Sequence, residues 1–310
     1  MSSASYRYIF SGLCIYVLAI ITLHFKFGLP VTDFIPAILV LGLGFSALSW
    51  WMTRDLENVP LRNSFPAEPW VLAGLVLLIA FYITYGGNLI NQLLPAAWVS
   101  DPRSATIIIF LRKLIVFVLI PFFIYKAAGF TLEDTGLKNP GLKLLSRRSV
   151  LIFIIFSVAA LLFQYFLSGG TGQLRQGGFT VSQLIKGLPL CFLYLLFDAG
   201  LIEEFFFRGL LQSRLTKLLK SPAGGIVAGA LIFGIVHSPG LYLRGAGTEG
   251  IEERLPYLFF CCYTIAYMSI AGLFLGILYH KTKNLWLVIA IHAMVDLLPN
   301  IDDFIHTWHL

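Results

Sequence analysis

The sequence predicts an all-α fold, a polytopic bundle of eight or nine transmembrane helices. Three observations predict it. Hydrophobic residues make up 58% of the 310 residues, and charged residues make up only 12%, which is about half the charged share of a soluble domain. Mean hydropathy is +0.83. Long apolar runs recur along the chain and approach the roughly 20 residues that a membrane-spanning helix needs. This composition excludes a disordered chain, a nucleic-acid-binding domain and an ordinary cytosolic enzyme.

Nine runs qualify as candidate spans because their residues are predominantly apolar. They cover residues 8–23, 34–51, 70–91, 106–125, 150–167, 186–212, 224–237, 258–279 and 285–298. The seventh and ninth runs are short for a span. The fourth contains Arg112 and Lys113, so we expect its apolar core to start later. The sixth is long, and we expect its amphipathic end at 212–217 to face the water.

Positive charges orient the predicted bundle. With the N-terminus in the cytoplasm, 13 Lys and Arg residues lie on the cytoplasmic side and 6 on the opposite side. Because cytoplasmic loops carry the excess of positive charge, we expect a multi-pass protein with a cytoplasmic N-terminus. We place it in a bacterial or archaeal cell (inner) membrane. The four cysteines lie in apolar runs without a CxxC pair, so neither a disulfide framework nor a cysteine-ligated zinc site is expected.

Ionisable residues inside the later spans are the most informative feature. Such a side chain costs about 2.5 kcal/mol or more at bilayer depth, so its presence points to function. Glu203, Glu204 and Arg208 interrupt an apolar helix. Glu204 and Arg208 are four residues apart and share a face, so we expect them to pair. Glu203 points about 100° away and is the freer carboxylate.

Histidines in the next apolar helices add to this cluster. His237 ends the seventh run, and the ninth contains His292 with Asp296 one turn later. Counting residues from the nearest turns, at about 1.5 Å each, puts Glu203 and these three side chains in one layer of the bundle. A carboxylate, two imidazoles and an aspartate at one depth are the components of an acid–base or metal site. The fold prediction therefore includes an intramembrane catalytic cavity.

These residues, in this order, resemble the CAAX-protease and bacteriocin-processing (CPBP, or Abi) family of glutamate-dependent intramembrane endopeptidases, which includes the type II CAAX prenyl proteases. The family pattern is EExxxR, FxxxH and HxxxN or HxxxD on successive helices. Here it reads Glu203-Glu204 with Arg208, Phe233 with His237, and His292 with Asp296. The resemblance covers about residues 185–300. We therefore divide the one membrane domain into accessory N-terminal transmembrane helices at 1–180 and a catalytic helical core at 181–310.

The resemblance implies a role for each matching residue. Glu203 would be the general base, with His237 helping to orient and activate the attacking water. His292 and Asp296 would stabilise the oxyanion of the tetrahedral intermediate. Asp296 stands where the family often has Asn, and an ionised carboxylate cannot donate a hydrogen bond. Either Asp296 is protonated, or it orients His292 while His292 donates alone.

The remaining two residues of the first motif, Glu204 and Arg208, would position Glu203. The implied substrate is a membrane-anchored or lipidated protein or peptide, cleaved near its membrane segment. The implied partners are that substrate and the lipid bilayer, with no nucleic acid; the oligomeric state is not predicted. The loop at 238–256 is interpreted either as a lid over the site or as a solvated loop.

Other functions fit parts of the same pattern. Glu203, His237 and His292 could form a zinc site with an open position for water, although the HExxH spacing is absent; the expectation is no cofactor. A non-enzymatic scaffold, or a partner in immunity or secretion, would use the cluster as a structural network. A proton-coupled transporter would use it as a proton path, but no inverted repeat supports that reading.

Overall fold

A computed structural model describes residues 3–57, 59–138, 141–167, 171, 174, 178–244 and 255–310. Within these residues the chain is helical, has no β-strand, and contains nine helices long and apolar enough to cross a membrane. They are α1 (Ser3–Phe27), α2 (Val31–Thr53), α3 (Glu68–Leu93), α4 (Pro102–Ala127), α5 (Arg147–Leu167), α6 (Val181–Leu218), α7 (Pro222–Arg244), α8 (Tyr257–Thr282) and α9 (Leu285–Trp308). The predicted all-α, polytopic fold is confirmed.

The two spans predicted to be short are longer in the structure. Helix α7 continues beyond His237, a single turn residue between Pro222–Val236 and Ser238–Arg244. Helix α9 runs through Pro299 to Trp308. Both helices begin with a side-chain cap: the Ser221 hydroxyl accepts from the Gly224 N–H, and the Asn284 amide oxygen accepts from the Leu287 N–H. These caps satisfy backbone donors that the first turn of a helix leaves free.

Helix α6 changes its winding around the two glutamates. Leu196–Leu201 and Phe205–Gln212 are π-helical and flank the α-helical segment Ile202–Glu204. A π turn bonds each N–H to a carbonyl five residues back, and such turns often occur at functional sites. Gly200 lets this region meet α9 closely, because a Cβ there would lie 2.7 Å from the Ile289 carbonyl oxygen.

The core contains side chains from both ends of the chain. Phe205, Phe206 and Phe207 are at most 2% exposed. They belong to one cluster with Phe45 of α2 and Phe274 of α8, whose rings meet edge to face at 5.1 Å. Burying large aromatic side chains against one another contributes strongly to packing. Helix α1 packs against α7 and α8, so the N-terminal helices join the same core.

The end of α6 does not face the water as expected. Arg214 is 1% exposed, and its Nε lies 2.5 Å from Oε1 of Glu68, whose side chain is fully buried. The Arg214 guanidinium also lies over the Phe130 ring, 5.0 Å from its centroid. Within the amphipathic pattern at 212–217, Arg214 is thus buried in an ion pair with α3, whereas residues 215–217 are partly exposed. The partner in α3 cannot be found from the pattern of one helix.

Candidate active site

Three helices bring Glu203 and the two histidines together. The Oε2 atom of Glu203 lies 3.7 Å from Nε2 of His237 and 3.9 Å from Nε2 of His292. These residues belong to α6, α7 and α9 respectively. The Glu203 side chain is 18% exposed, whereas that of Glu204 is fully buried. The two adjacent carboxylates therefore face different surroundings, and Glu203 is the accessible one.

Glu204 contacts His292, not Glu203. Its Oε1 atom lies 2.6 Å from Nδ1 of His292 and 2.9 Å from a terminal nitrogen of Arg208. The Arg208 guanidinium stacks over the Phe233 ring at 4.3 Å from the centroid. The expected pairing of Glu204 with Arg208 is present, but this pair fixes the imidazole of His292. A side chain one position along the helix from Glu203 points to a different neighbour.

His237 is oriented by its own helix. Its Nδ1 atom lies 2.6 Å from the Phe233 carbonyl oxygen, four residues earlier. A carbonyl can only accept, so Nδ1 carries the proton and donates it. In the neutral ring Nε2 is then unprotonated, and this atom faces Glu203. The Phe233 ring, 4.9 Å from the His237 ring, packs beneath it.

Asp296 completes the cluster on α9. Its Oδ2 atom lies 3.3 Å from Nε2 of His292, one helical turn earlier. Its backbone carbonyl accepts a hydrogen bond of 2.8 Å from the Asn300 side-chain amide. Both ring nitrogens of His292 consequently face carboxylates, Glu204 on one side and Asp296 on the other. The Asp296 side chain is 32% exposed, so this side of the cluster is open.

Comparison with known proteins gives one match. A family model described as type II CAAX prenyl endopeptidase Rce1-like matches residues 184–298. The matched residues, here named the CAAX-protease segment, are similar to that family. Comparison with curated proteins and with solved structures gives no match. The CAAX-protease segment runs from α6 into α9 and includes every residue of the cluster. The match supports protease activity in general, and the nine apolar helices among the described residues support an integral, multi-pass membrane protein.

A second polar contact lies beside the cluster and was not expected from the sequence. Lys113 of α4 forms a 2.7 Å ion pair with Asp198, five residues before Glu203 in the CAAX-protease segment. Arg112 donates hydrogen bonds to the Gly87 carbonyl oxygen at 2.8 Å and to Oδ1 of Asn91 at 2.7 Å. Charges of opposite sign inside two predicted spans were the available signal, because buried charges in membranes usually pair.

The zinc alternative lacks a matching arrangement of ligands. Among the residues that the structure describes, no group of three His, Cys, Asp or Glu side chains is arranged to hold a metal ion. In the CAAX-protease segment, His292 already contacts a carboxylate through each nitrogen.

The predicted lid is described only in part. Its charged residues Glu249, Glu252, Glu253 and Arg254 lie outside the described residues. The start of the predicted loop, Ser238–Arg244, is a helix that extends α7.

Proposed function

We propose that the protein is an intramembrane endopeptidase that hydrolyses a peptide bond of a membrane-anchored or lipidated protein near its membrane segment. The observation that carries the proposal is the position of Glu203, whose Oε2 atom faces Nε2 of both His237 and His292 within 3.9 Å. These distances exceed a direct hydrogen bond. A water molecule can therefore contact the carboxylate and an imidazole at the same time.

Glu203 and His237 can together orient the attacking water. Both present acceptors, a carboxylate oxygen and an unprotonated Nε2, on either side of a 3.7 Å gap. A water molecule that donates one proton to each has its lone pair directed away from both, toward a substrate carbonyl. Glu203 takes the proton as the oxygen attacks, because a carboxylate in a pocket with little water is an effective general base.

In the proposed mechanism, His292 and Asp296 stabilise the negative charge that develops on the substrate oxygen. In the proposed step, His292 carries protons on both nitrogens, donates one to Glu204 and directs the other to the oxyanion. Glu204, held by Arg208, fixes the ring at 2.6 Å. Donors fixed before the reaction lower its barrier, and loss of one typically costs about 10²–10³ in rate. Glu204 and Arg208 are thus positioning residues for His292.

The substrate follows from the surroundings of the site. The cluster lies inside a bundle whose outer surface is rich in exposed Leu, Ile and Phe side chains, as expected of a surface that meets lipid. A protein that is itself held in the bilayer reaches such a site by lateral movement. The proposed partners are this substrate and the lipid bilayer, with the N-terminus of the enzyme in the cytoplasm of a bacterial or archaeal cell.

The test compares Glu203→Gln and His237→Ala with the wild type in cells that lack the natural copy. Each variant should reduce processing at least about 10²-fold, seen as membrane proteins that keep an uncleaved tail in proteomics of the membrane fraction. Glu133→Gln is the matched control, because Glu133 pairs with Lys138 on an exposed surface.

Two outcomes would contradict the proposal. Full processing by folded Glu203→Gln would remove Glu203 as the base. If both variants instead fail to fold, as judged by gel filtration and thermal unfolding in detergent, the result favours the cluster as a structural network of a non-enzymatic protein. Retained activity of the purified enzyme in a chelator would reject the zinc variant, and activity restored only by added zinc would support it.

A further inference from the structure

The face of α9 that carries His292 and Asp296 stays polar to the end of the helix. Asn300, Asp303 and Thr307 follow at intervals of three or four residues. On a helical wheel all five positions lie within about 80°. A polar stripe of this length is expensive in a membrane helix unless it lines a water-filled or protein-filled space.

Helix α6 presents a matching face. Tyr194 and Asp198 are one turn apart and share a face. The next residue on this face is Glu203, five residues on, because the π-helical segment Leu196–Leu201 intervenes. Positions five apart share a face in a π turn. The change in winding thus aligns the catalytic carboxylate with the polar residues toward the start of α6.

Helix α4 supplies the third wall. Thr106 and Lys113 are seven residues apart and share a face. Lys113 reaches Asp198 of α6 at 2.7 Å, and Arg103 donates to the Thr307 and Trp308 carbonyl oxygens of α9 at 3.2 and 3.3 Å. These contacts join α4 to both other helices along the polar faces.

A cavity of about 130 Å³, open on one side, lies between the three helices. Its walls include Thr106, Tyr194, Asn300, Asp303 and Thr307. The Asn300 side chain donates to the Asp296 carbonyl oxygen, so the inner end of the cavity is one turn from the catalytic cluster. The outer end is at the C-terminus of α9. Phe304 forms part of the wall, with its ring 5.7 Å from that of Tyr194.

We propose that this cavity, the α4–α6–α9 pocket, binds the extended peptide segment of the substrate that runs from the scissile bond to the surface. The inference rests on the proposed function. The α9 wall of the cavity, from Asn300 to Thr307, spans about 10 Å, the length of about three extended residues. Asp303 places a carboxylate in the cavity wall. Lys113 and Asp198 neutralise each other, and Arg103 is engaged by the carbonyl oxygens at the outer end of α9. The pocket should therefore accept neutral and basic side chains in preference to acidic ones.

Cysteine labelling tests the pocket without any substrate. In a background with the four native cysteines replaced, Asn300→Cys in proteoliposomes should react at least tenfold faster with a charged methanethiosulfonate than Ile107→Cys. Ile107 is 49% exposed on the outer surface of α4, next to Thr106. The cationic trimethylammonium reagent should react faster than the anionic sulfonate, and Asp303→Asn should reduce that preference. Equal labelling at Asn300→Cys and Ile107→Cys would overturn the pocket.

Cleavage of two matched reporter proteins tests whether the substrate peptide occupies the α4–α6–α9 pocket. Two membrane-anchored reporters that the wild type cleaves carry five Lys or five Glu residues in the segment following the cleaved bond. The preference for the Lys reporter is its kcat/KM divided by the kcat/KM of the Glu reporter. Asp303→Lys should lower this preference at least tenfold. Asp302→Lys makes the same charge change beside the pocket, at a residue paired with His306 at 3.1 Å, and should change the ratio little.

The results of these experiments distinguish failure of the proposed pocket from failure of the proposed endopeptidase function. An equal shift for Asp302→Lys and Asp303→Lys, or no shift for either, would overturn the pocket as the substrate-binding segment. Absence of cleavage of any membrane-anchored reporter by the folded wild type would instead contradict the proposed function, while the labelling result would still decide whether the water-filled pocket exists.

Discussion

Asp296 is the residue of the cluster that fits an oxyanion site least directly. Its Oδ2 atom lies 3.3 Å from Nε2 of His292, the nitrogen that is proposed to face the substrate oxygen. An ionised carboxylate beside a developing oxyanion repels it and cannot donate a hydrogen bond. A neutral Asp296, by contrast, donates one. Under the proposed mechanism, the charge of Asp296 therefore opposes the chemical step, whereas a hydrogen-bond donor at this position favours it.

We expect Asp296→Asn to keep or raise the activity. The amide donates a hydrogen bond and carries no charge, so the variant should match or exceed the wild-type kcat. Asp296→Ala, which leaves no donor, should lose about 10²-fold in kcat. The measurement is kcat and kcat/KM of the purified protein between pH 5 and 9, with a reporter substrate.

A low kcat of Asp296→Asn would indicate a different role for the Asp296 carboxylate. If Asp296→Asn loses as much activity as Asp296→Ala, the carboxylate charge itself is needed, and Asp296 acts by holding His292. The double variant with Glu204→Gln then decides whether one carboxylate on His292 suffices.

At the scale of elements, α9 remains helical through Pro299 because α5 supports it. Proline has no N–H, so the Val295 carbonyl four residues earlier loses its partner in the helix. The amide nitrogen of Gln164 donates to that carbonyl and, at 3.1 Å, to the Met294 carbonyl. The Gln164 amide oxygen accepts from the Leu298 N–H at 3.2 Å. One buried side chain thus satisfies three backbone groups around Asp296.

The contact of Gln164 with the α9 backbone predicts the effect of one substitution and of a second substitution that should reverse it. Gln164→Met keeps the volume but leaves buried backbone groups without partners, which costs about 1–3 kcal/mol. It should shift α9 and lower kcat more than it raises KM. Adding Pro299→Ala restores an N–H for the Val295 carbonyl and should recover much of the lost kcat. If Pro299→Ala gives no recovery, Gln164 does not act through α9.

Composition and helix periodicity predicted the spans and the pairing of Glu204 with Arg208, since both depend on neighbours within one helix. Equal depth predicted that Glu203, His237 and His292 approach one another, because straight helices of known rise fix the height. The π-helical segments of α6 could not be predicted in this way, since they depend on contacts with other helices, such as that between Gly200 and Ile289. The continuation of α9 beyond 298 depends on Gln164, from a different helix.

At the scale of the whole molecule, the N-terminal helices do more than surround the catalytic core. Lys113 reaches Asp198, Gln164 supports α9, and Glu68 pairs with Arg214. The division at residue 180 and the cytoplasmic position of the N-terminus stay predictions. These contacts nevertheless argue that the two parts of the chain fold as one membrane domain, because each of the three joins a polar side chain of one part to the other part.

The Glu68–Arg214 pair offers the sharpest test of that dependence. Both side chains are at most 1% exposed, and Arg214 also donates to the Arg62 carbonyl oxygen at 3.0 Å. Removing one member of a buried pair leaves an uncompensated charge and costs about 3–5 kcal/mol. Arg214→Met should therefore lower the thermal unfolding temperature in detergent strongly. Its remaining folded fraction should keep the wild-type kcat, because the pair lies away from the reacting atoms.

The double variant Glu68→Met with Arg214→Met separates charge from packing. Replacing both members of a buried ion pair by apolar groups of similar volume is often neutral or stabilising. The double variant should therefore unfold close to the wild-type temperature and process the reporter normally. An unfolding temperature as low as that of Arg214→Met would show that the hydrogen bond from Arg214 to Arg62, and not the ion pair, joins the α2–α3 connection to α6. In that case the N-terminal helices are held to the catalytic core by a loop contact at this point.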